Sequence, residues 1–251
     1  MSTTGLLAGK RIVVTGGGQG NGRAIAEGMA GAGAEVIIVD LNETNAVEAA
    51  LAIGMTKDHA FALDISDRDG ANAFSAAVAE KFGAVDCLVN NAGILIRGKL
   101  TDENAAANWD KVIAVNVTGS FNMVQAFRET LIETKGSIIN IGSIQSFVAA
   151  PNSVAYSASK GAVIQLTKAL ASELATAGVR VNGIAPGVMR TPMTVSTLAN
   201  EAAIGPLMQH IPMRRVGEAS ELAGPAIFLA SDMASYVTGV MMPVDGGYLS
   251  V

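Results

Sequence analysis

The chain has 251 residues, 50% of them hydrophobic and only 16% charged, with a net charge of −5. That supply suits one large core around a buried sheet, and an acidic balance without a basic stripe argues against a nucleic-acid partner. No apolar run is long enough to span a bilayer, residues 1–10 lack the regions of a secretory signal, and the single cysteine, Cys87, excludes an intrachain disulfide framework. The expectation is a cytoplasmic protein that engages neither membrane nor nucleic acid.

In chain order, the first predicted element is a β-branched strand over residues 11–15. It runs into Thr15-Gly16-Gly17-Gly18-Gln19-Gly20-Asn21-Gly22, and a helix over 23–32 follows. A glycine turn between strand and helix lets backbone approach a diphosphate, whose charge meets the helix N-terminus. A second strand, 35–40, ends in Asp40, where a carboxylate accepts hydrogen bonds from ribose hydroxyls and repels a 2′-phosphate. Leu41, Asn42 and Gln19 offer no cation to offset that repulsion, which points to NAD rather than NADP. Asp40 also reads as a cap for the next helix, 44–52. Then come strand 59–65, helix 67–82, strand 85–90, helix 106–133, strand 136–142, helix 156–175, strand 179–185, helix 218–229 and strand 240–244. Apolar strands alternating with helices predict an α/β fold over 1–251: a single-domain, doubly wound parallel sheet, Rossmann-like, with helices on both faces. Residues 191–211, bounded by Pro192 and Pro212, interrupt the alternation. They read either as a lid over the ligand crevice or as an ordered oligomer contact.

Tyr156 and Lys160 stand four apart in a predicted helix, hence on one face. A neighbouring ammonium favours the tyrosinate, which would make Tyr156 a proton acceptor or donor. Spacing alone is weak; it also fits a surface lysine beside a half-buried tyrosine.

With Thr15-Gly16-x-x-x-Gly20-x-Gly22, Asp64, Asn90-Asn91-Ala92-Gly93, Asn116, Ser143, Tyr156-x-x-x-Lys160 and Pro186-Gly187 in this order, the chain resembles the short-chain dehydrogenase/reductase family over essentially its whole length. The resemblance implies a catalytic set of Asn116, Ser143, Tyr156 and Lys160. Tyr156 would exchange the hydroxyl proton and Ser143 would stabilise the reacting oxygen. Lys160 would lower the phenol pKa and hold the nicotinamide ribose, and Asn116 would hold a water linking Lys160 to solvent. It also implies cofactor contacts from Thr15, Gly16, Gln19, Gly20, Asn21, Gly22, Asp40 and Leu41 around the turn. Asp64 and Ile65 would flank the adenine, and Asn91, Ala92 and Gly93 would pass beneath the ribose. Tyr156, Lys160, Pro186, Gly187, Val188 and Thr191 would complete the nicotinamide end. Asn21 departs from the family, which usually carries Ile or Leu there. A homotetramer is implied as well.

For the substrate, Arg97, Gln145, Asn152 and Arg190 are the candidates. An amide binds a hydroxyl, and two arginines beside one pocket suit a carboxylate, phosphate or sulfonate. Each arginine taken alone also reads as a solvated or interface charge. With His59 and His210 lacking partners, no metal site is expected. The expected activity is NAD-dependent interconversion of a secondary alcohol and a ketone or lactone on a polar sugar or polyol, neutral or anionic. A 3-oxoacyl-[acyl-carrier-protein] reductase is the alternative within the same chemistry, and a non-catalytic NAD-binding regulator is the alternative outside it.

Overall fold

The computed structural model describes residues 5–251; residues 1–4 of the stretch weighed as a signal, and the side chains of residues 201–203, lie outside the described residues. Seven strands form the main sheet: β1 (Arg11–Thr15), β2 (Glu35–Asp40), β3 (Ala60–Ala62), β4 (Cys87–Asn90), β5 (Ser137–Ile141), β6 (Arg180–Pro186) and β9 (Met241–Val244). Their order is β3-β2-β1-β4-β5-β6-β9, and every neighbouring pair is parallel. Helices α1 (Gly20–Gly31), α2 (Glu43–Ala52), α3 (Arg68–Phe82), α4 (Ala105–Ile113), α5 (Ser120–Thr134), α6 (Val154–Leu174) and α9 (Ala223–Ala230) cover it.

Strand periodicity explains the layering. Side chains alternate across a strand. Ile12, Val14 and Ile38 therefore join a core with Ile25 and Met29 of α1 and Ile227 of α9. Val13, Ile37 and Val39 join the opposite core, with Phe74 of α3, Phe127 of α5 and Leu170 of α6. Both faces are buried, which is why these strands read as continuous apolar runs rather than as alternating ones.

The structure revises three boundaries. Strand three is only Ala60–Ala62, preceded by a 3-10 turn at Lys57–His59, because it is the sheet edge and pairs with β2 alone. The long helix expected over 106–133 is α4 and α5 joined through a π-helical turn, Ala114–Gly119. Such turns widen a helix by one residue and are frequent at functional sites. The segment after β6 contains a small second sheet, β7 (Met189–Arg190) paired with β8 (Gly217–Glu218). Helices α7 (Val195–Leu198) and α8 (Glu201–His210) fill the insertion between them.

The sheet reverses its winding between β1 and β4. In an open α/β sheet, ligands sit beyond the carboxyl ends of the strands at that point. The cleft found there has a volume of about 500 Å³ and runs from Asp40 and Leu41 to Gln145 and Tyr156.

Candidate active site

The cofactor end is a backbone construction. Gly16 and Gly20 take left-handed φ values of 61° and 55°. A Cβ on Gly22 would stand 2.2 Å from the Gly16 carbonyl oxygen and 2.3 Å from Asn91 Nδ2, so only glycine fits. Gln19 caps α1 without a side-chain bond to its first turn, which leaves those N–H groups available to an anion. Asp40 closes this end: its Oδ2 accepts from the Gly18 N–H at 3.0 Å and its Oδ1 from the Asn42 N–H at 3.0 Å. A Cβ on Gly18 would crowd that carboxylate at 2.8 Å.

Thr15 and Asn91 tie the strand ends together. Thr15 Oγ1 accepts from the N–H groups of Asn91 and Ala92, both at 3.0 Å. Asn91 Nδ2 donates to the carbonyls of Thr15 at 2.9 Å and Gly16 at 3.0 Å. Asp64, Ile65, Ala92, Gly93, Pro186, Gly187, Val188 and Thr191 all line the cleft; Thr15, Gly22 and Asn116 stand outside its lining. Asn21 lines it too, and its Oδ1 is buried without a hydrogen-bond partner. The open helix terminus, the glycine cradle and the carboxylate at the ribose position together fit a dinucleotide.

The other end gathers Ser143, Tyr156 and Lys160, which leave β5 and α6 toward the same space. Tyr156 is 9% exposed and Lys160 5%. Lys160 Nζ lies 5.7 Å from the Tyr156 ring centroid and donates to the Ile141 carbonyl at 2.7 Å. Burial holds the Lys160 ammonium down at about 8. Burial pushes the Tyr156 phenol above its ordinary value; a hydrogen bond with Ser143 and the charge of Arg97 pull it back. In the protein alone, Ser143 and Arg97 oppose the burial, and Lys160 stands beside the ring where the expected role would place it.

Asn116 sits in the π-helical turn and is 1% exposed. Its Oδ1 accepts from the Ile94 N–H at 2.8 Å, and its Nδ2 donates to the Ile94 carbonyl at 3.0 Å and to Ser159 Oγ at 2.9 Å. Both ends of the side-chain amide are therefore engaged by protein groups. It fixes the segment that carries Gly93, whose Cβ position lies 3.6 Å from Lys160 Nζ.

Of the four substrate candidates, two reach the cleft. Gln145 and Arg97 line it, and Arg97 has no ion-pair partner among the described residues. Asn152 is exposed in a left-handed turn (φ 57°), and its carbonyl accepts from the Gly98 N–H; it does not line the cleft. Arg190 is also outside. Alternation along β7 buries Met189 and turns Arg190 to solvent, where its Nε pairs with Glu218 at 3.0 Å. Sequence reasoning missed Lys111 and Val115, four residues apart across the junction of α4 with the π-helical turn, which also line the cleft. That spacing was the available signal.

Fold and site define a nucleotide-dependent oxidoreductase of the Rossmann type. The family described as Enoyl-(Acyl carrier protein) reductase matches residues 16–249. The 2-(R)-hydroxypropyl-CoM dehydrogenase of Xanthobacter autotrophicus is 38% identical over 95% of this chain and 98% of its own. The galactitol 2-dehydrogenase (L-tagatose-forming) of Cereibacter sphaeroides is 41% identical over 96% of each. A solved gluconate 5-dehydrogenase from Burkholderia cenocepacia J2315, in complex with NADP and tartrate, superposes with a TM-score of 0.92 at 37% identity over 100% of both chains. The chain belongs to the short-chain dehydrogenase/reductase family and is an NAD(P)-dependent oxidoreductase acting on CH–OH groups.

Proposed function

We propose that this protein interconverts a secondary alcohol and a ketone on a polar, anionic sugar or polyol, with NAD as its cofactor. The carrying observation is one cleft with Asp40 at its far end and Ser143, Tyr156, Lys160 and an unpaired Arg97 at the other. NAD, when bound, accepts the hydride. Tyr156 takes the hydroxyl proton as general base, or returns it in the reductive direction. Ser143 donates to the reacting oxygen and stabilises the charge that develops there. Lys160 would hold the nicotinamide ribose, and Asn116 keeps the Ile94 segment in register. Arg97 receives the anionic group of the substrate.

Asp40 supports NAD over NADP, because its carboxylate is fixed by two backbone N–H groups where a 2′-phosphate would have to sit. A homotetramer is our reading of assembly; exposed Leu100, Trp109 and Val154 around an apolar groove beside α4 support self-association, which light scattering would check. A cytoplasmic setting agrees with a lone, buried Cys87 whose thiol burial pushes up to about 11.

The test is initial rate with NAD against NADP across sugar acids, sulfonated sugars, polyols and simple secondary alcohols. NAD-dependent turnover of an anionic member, weakened by Arg97→Ala, is expected, and Asp40→Ala should erode the NAD preference. Activity confined to NADPH and oxoacyl thioesters would overturn the proposal in favour of a carrier-protein reductase.

A further inference from the structure

The amide of Gln145 is held by α6. Its Oε1 accepts from Ser157 Oγ at 2.7 Å and from Ser153 Oγ at 3.1 Å. Ser153 is the N-cap residue of α6 and is 1% exposed; Ser157 follows one turn later on the same face. The Ser153 proton is divided between this amide and the Ala150 carbonyl at 2.9 Å. Ser157 has no second acceptor among the described residues, so its hydroxyl is directed at the Gln145 carbonyl. The backbone N–H of Gln145 donates to Ser143 Oγ at 3.1 Å, which fixes the root of the side chain as well.

A free glutamine amide offers a donor or an acceptor simply by turning over. Here the acceptor end is engaged from the helix side, by Ser157 and by a share of the Ser153 proton. The opposite edge of the amide, Nε2, carries two donors and no acceptor, and Gln145 lines the cleft beside Ser143. Arg97, on the same cleft, is also donor-only.

Resting on the alcohol oxidoreductase reading, we infer that Ser153 and Ser157 are positioning residues that lock Gln145 as a fixed donor. With Arg97 they make the substrate wall selective for an acceptor-only group, a carboxylate, beside the reacting carbinol. A hydroxymethyl group at that place uses only its oxygen and brings no charge. A carboxylate meets both donors with charge-assisted bonds. The substrate class is therefore a hydroxy acid rather than a neutral polyol.

The test is binding of tartrate, a hydroxy-carboxylate probe, and of xylitol, a neutral one, to the protein loaded with NADH, read by NADH fluorescence. Ser157→Ala should weaken tartrate by about fivefold, the worth of one ordinary hydrogen bond, and xylitol by less than about twofold. Ser157→Thr, which keeps the hydroxyl, should restore tartrate. Gln145→Glu, which keeps acceptors toward the serines and loses both N–H donors, should weaken tartrate by more than about tenfold. In turnover of a hydroxy acid, Ser157→Ala should raise KM more than it lowers kcat. Equal weakening of both probes, unchanged tartrate binding in both variants, or no tartrate binding by the native protein overturns the inference. The binding assay needs no turnover. Inactivity on every alcohol, with tartrate discrimination intact, would therefore sink the oxidoreductase reading separately.

Discussion

The two ends of the cleft are made of different material. At the cofactor end, backbone does the shaping: glycines at Gly16, Gly20 and Gly22, an open helix terminus, and strand ends tied by Thr15 and Asn91. At the substrate end, side chains from separate elements converge: Arg97 after β4, Gln145 after β5, Tyr156 and Lys160 on α6, and Met189 and Met193 around the insertion. A backbone cradle leaves a mark in the sequence because few residues can build it. A side-chain wall leaves little, since many residue sets can build one.

Four variants sharpen or break that contrast. Tyr156→Phe should have the largest effect: turnover falls by at least about 10²-fold, the usual scale for a lost general base, while NADH affinity holds within about twofold. A fluorescence titration beside initial rates separates the two ends; loss of cofactor binding would show that they are not independent.

Lys160→Met is expected to abolish turnover yet stabilise the fold. The Lys160 ammonium is held at about 8 by burial, against 10.5 ordinarily. Between those values the unfolded chain binds more protons, so stability rises with pH across the window, and below about pH 8 the full cost stands. That cost is about 3 kcal/mol. Tm should therefore rise at pH 7 in the variant, with the gain shrinking toward pH 10.5. An unchanged Tm at pH 7 would mean that the native ammonium is better solvated than its burial implies.

Gly22→Ala tests the cradle itself. Its methyl would meet the Gly16 carbonyl oxygen at 2.2 Å. We expect a loss of about 1–3 kcal/mol by thermal unfolding, as for other overpacked sites, together with weakened NADH binding. Native affinity in a stable variant would show that the turn can yield. Smallest is Arg190→Ala: an exposed ion pair is worth at most about 1 kcal/mol, so stability and kcat/KM should barely change. A large rise in KM for an anionic substrate would return Arg190 to the site.

Local rules were enough for β1 and β2, whose predicted and observed bounds coincide, because each is a β-branched run closed by a turn or an acid. They failed at the π-helical turn inside 106–133, where nothing in the helical periodicity marks one extra residue. There the Asn116 side chain bonds to Ile94, 22 residues away in the chain. They failed again at Asn152 and Arg190, which are near the site in sequence but turned away by a left-handed turn and by strand alternation.

The sequence by itself determined the alternation of strands and helices, the glycine cradle, the acid at Asp40 and the Tyr156–Lys160 spacing, since each rests on residues close together in the chain or on a single residue's conformational range. Only the tertiary structure decided that Arg97 faces the cleft while Arg190 does not, that Asn116 is closed on Ile94, and that Ser153 and Ser157 hold Gln145. Those outcomes depend on which distant segments meet, and a linear pattern carries no record of where a side chain's partners will be.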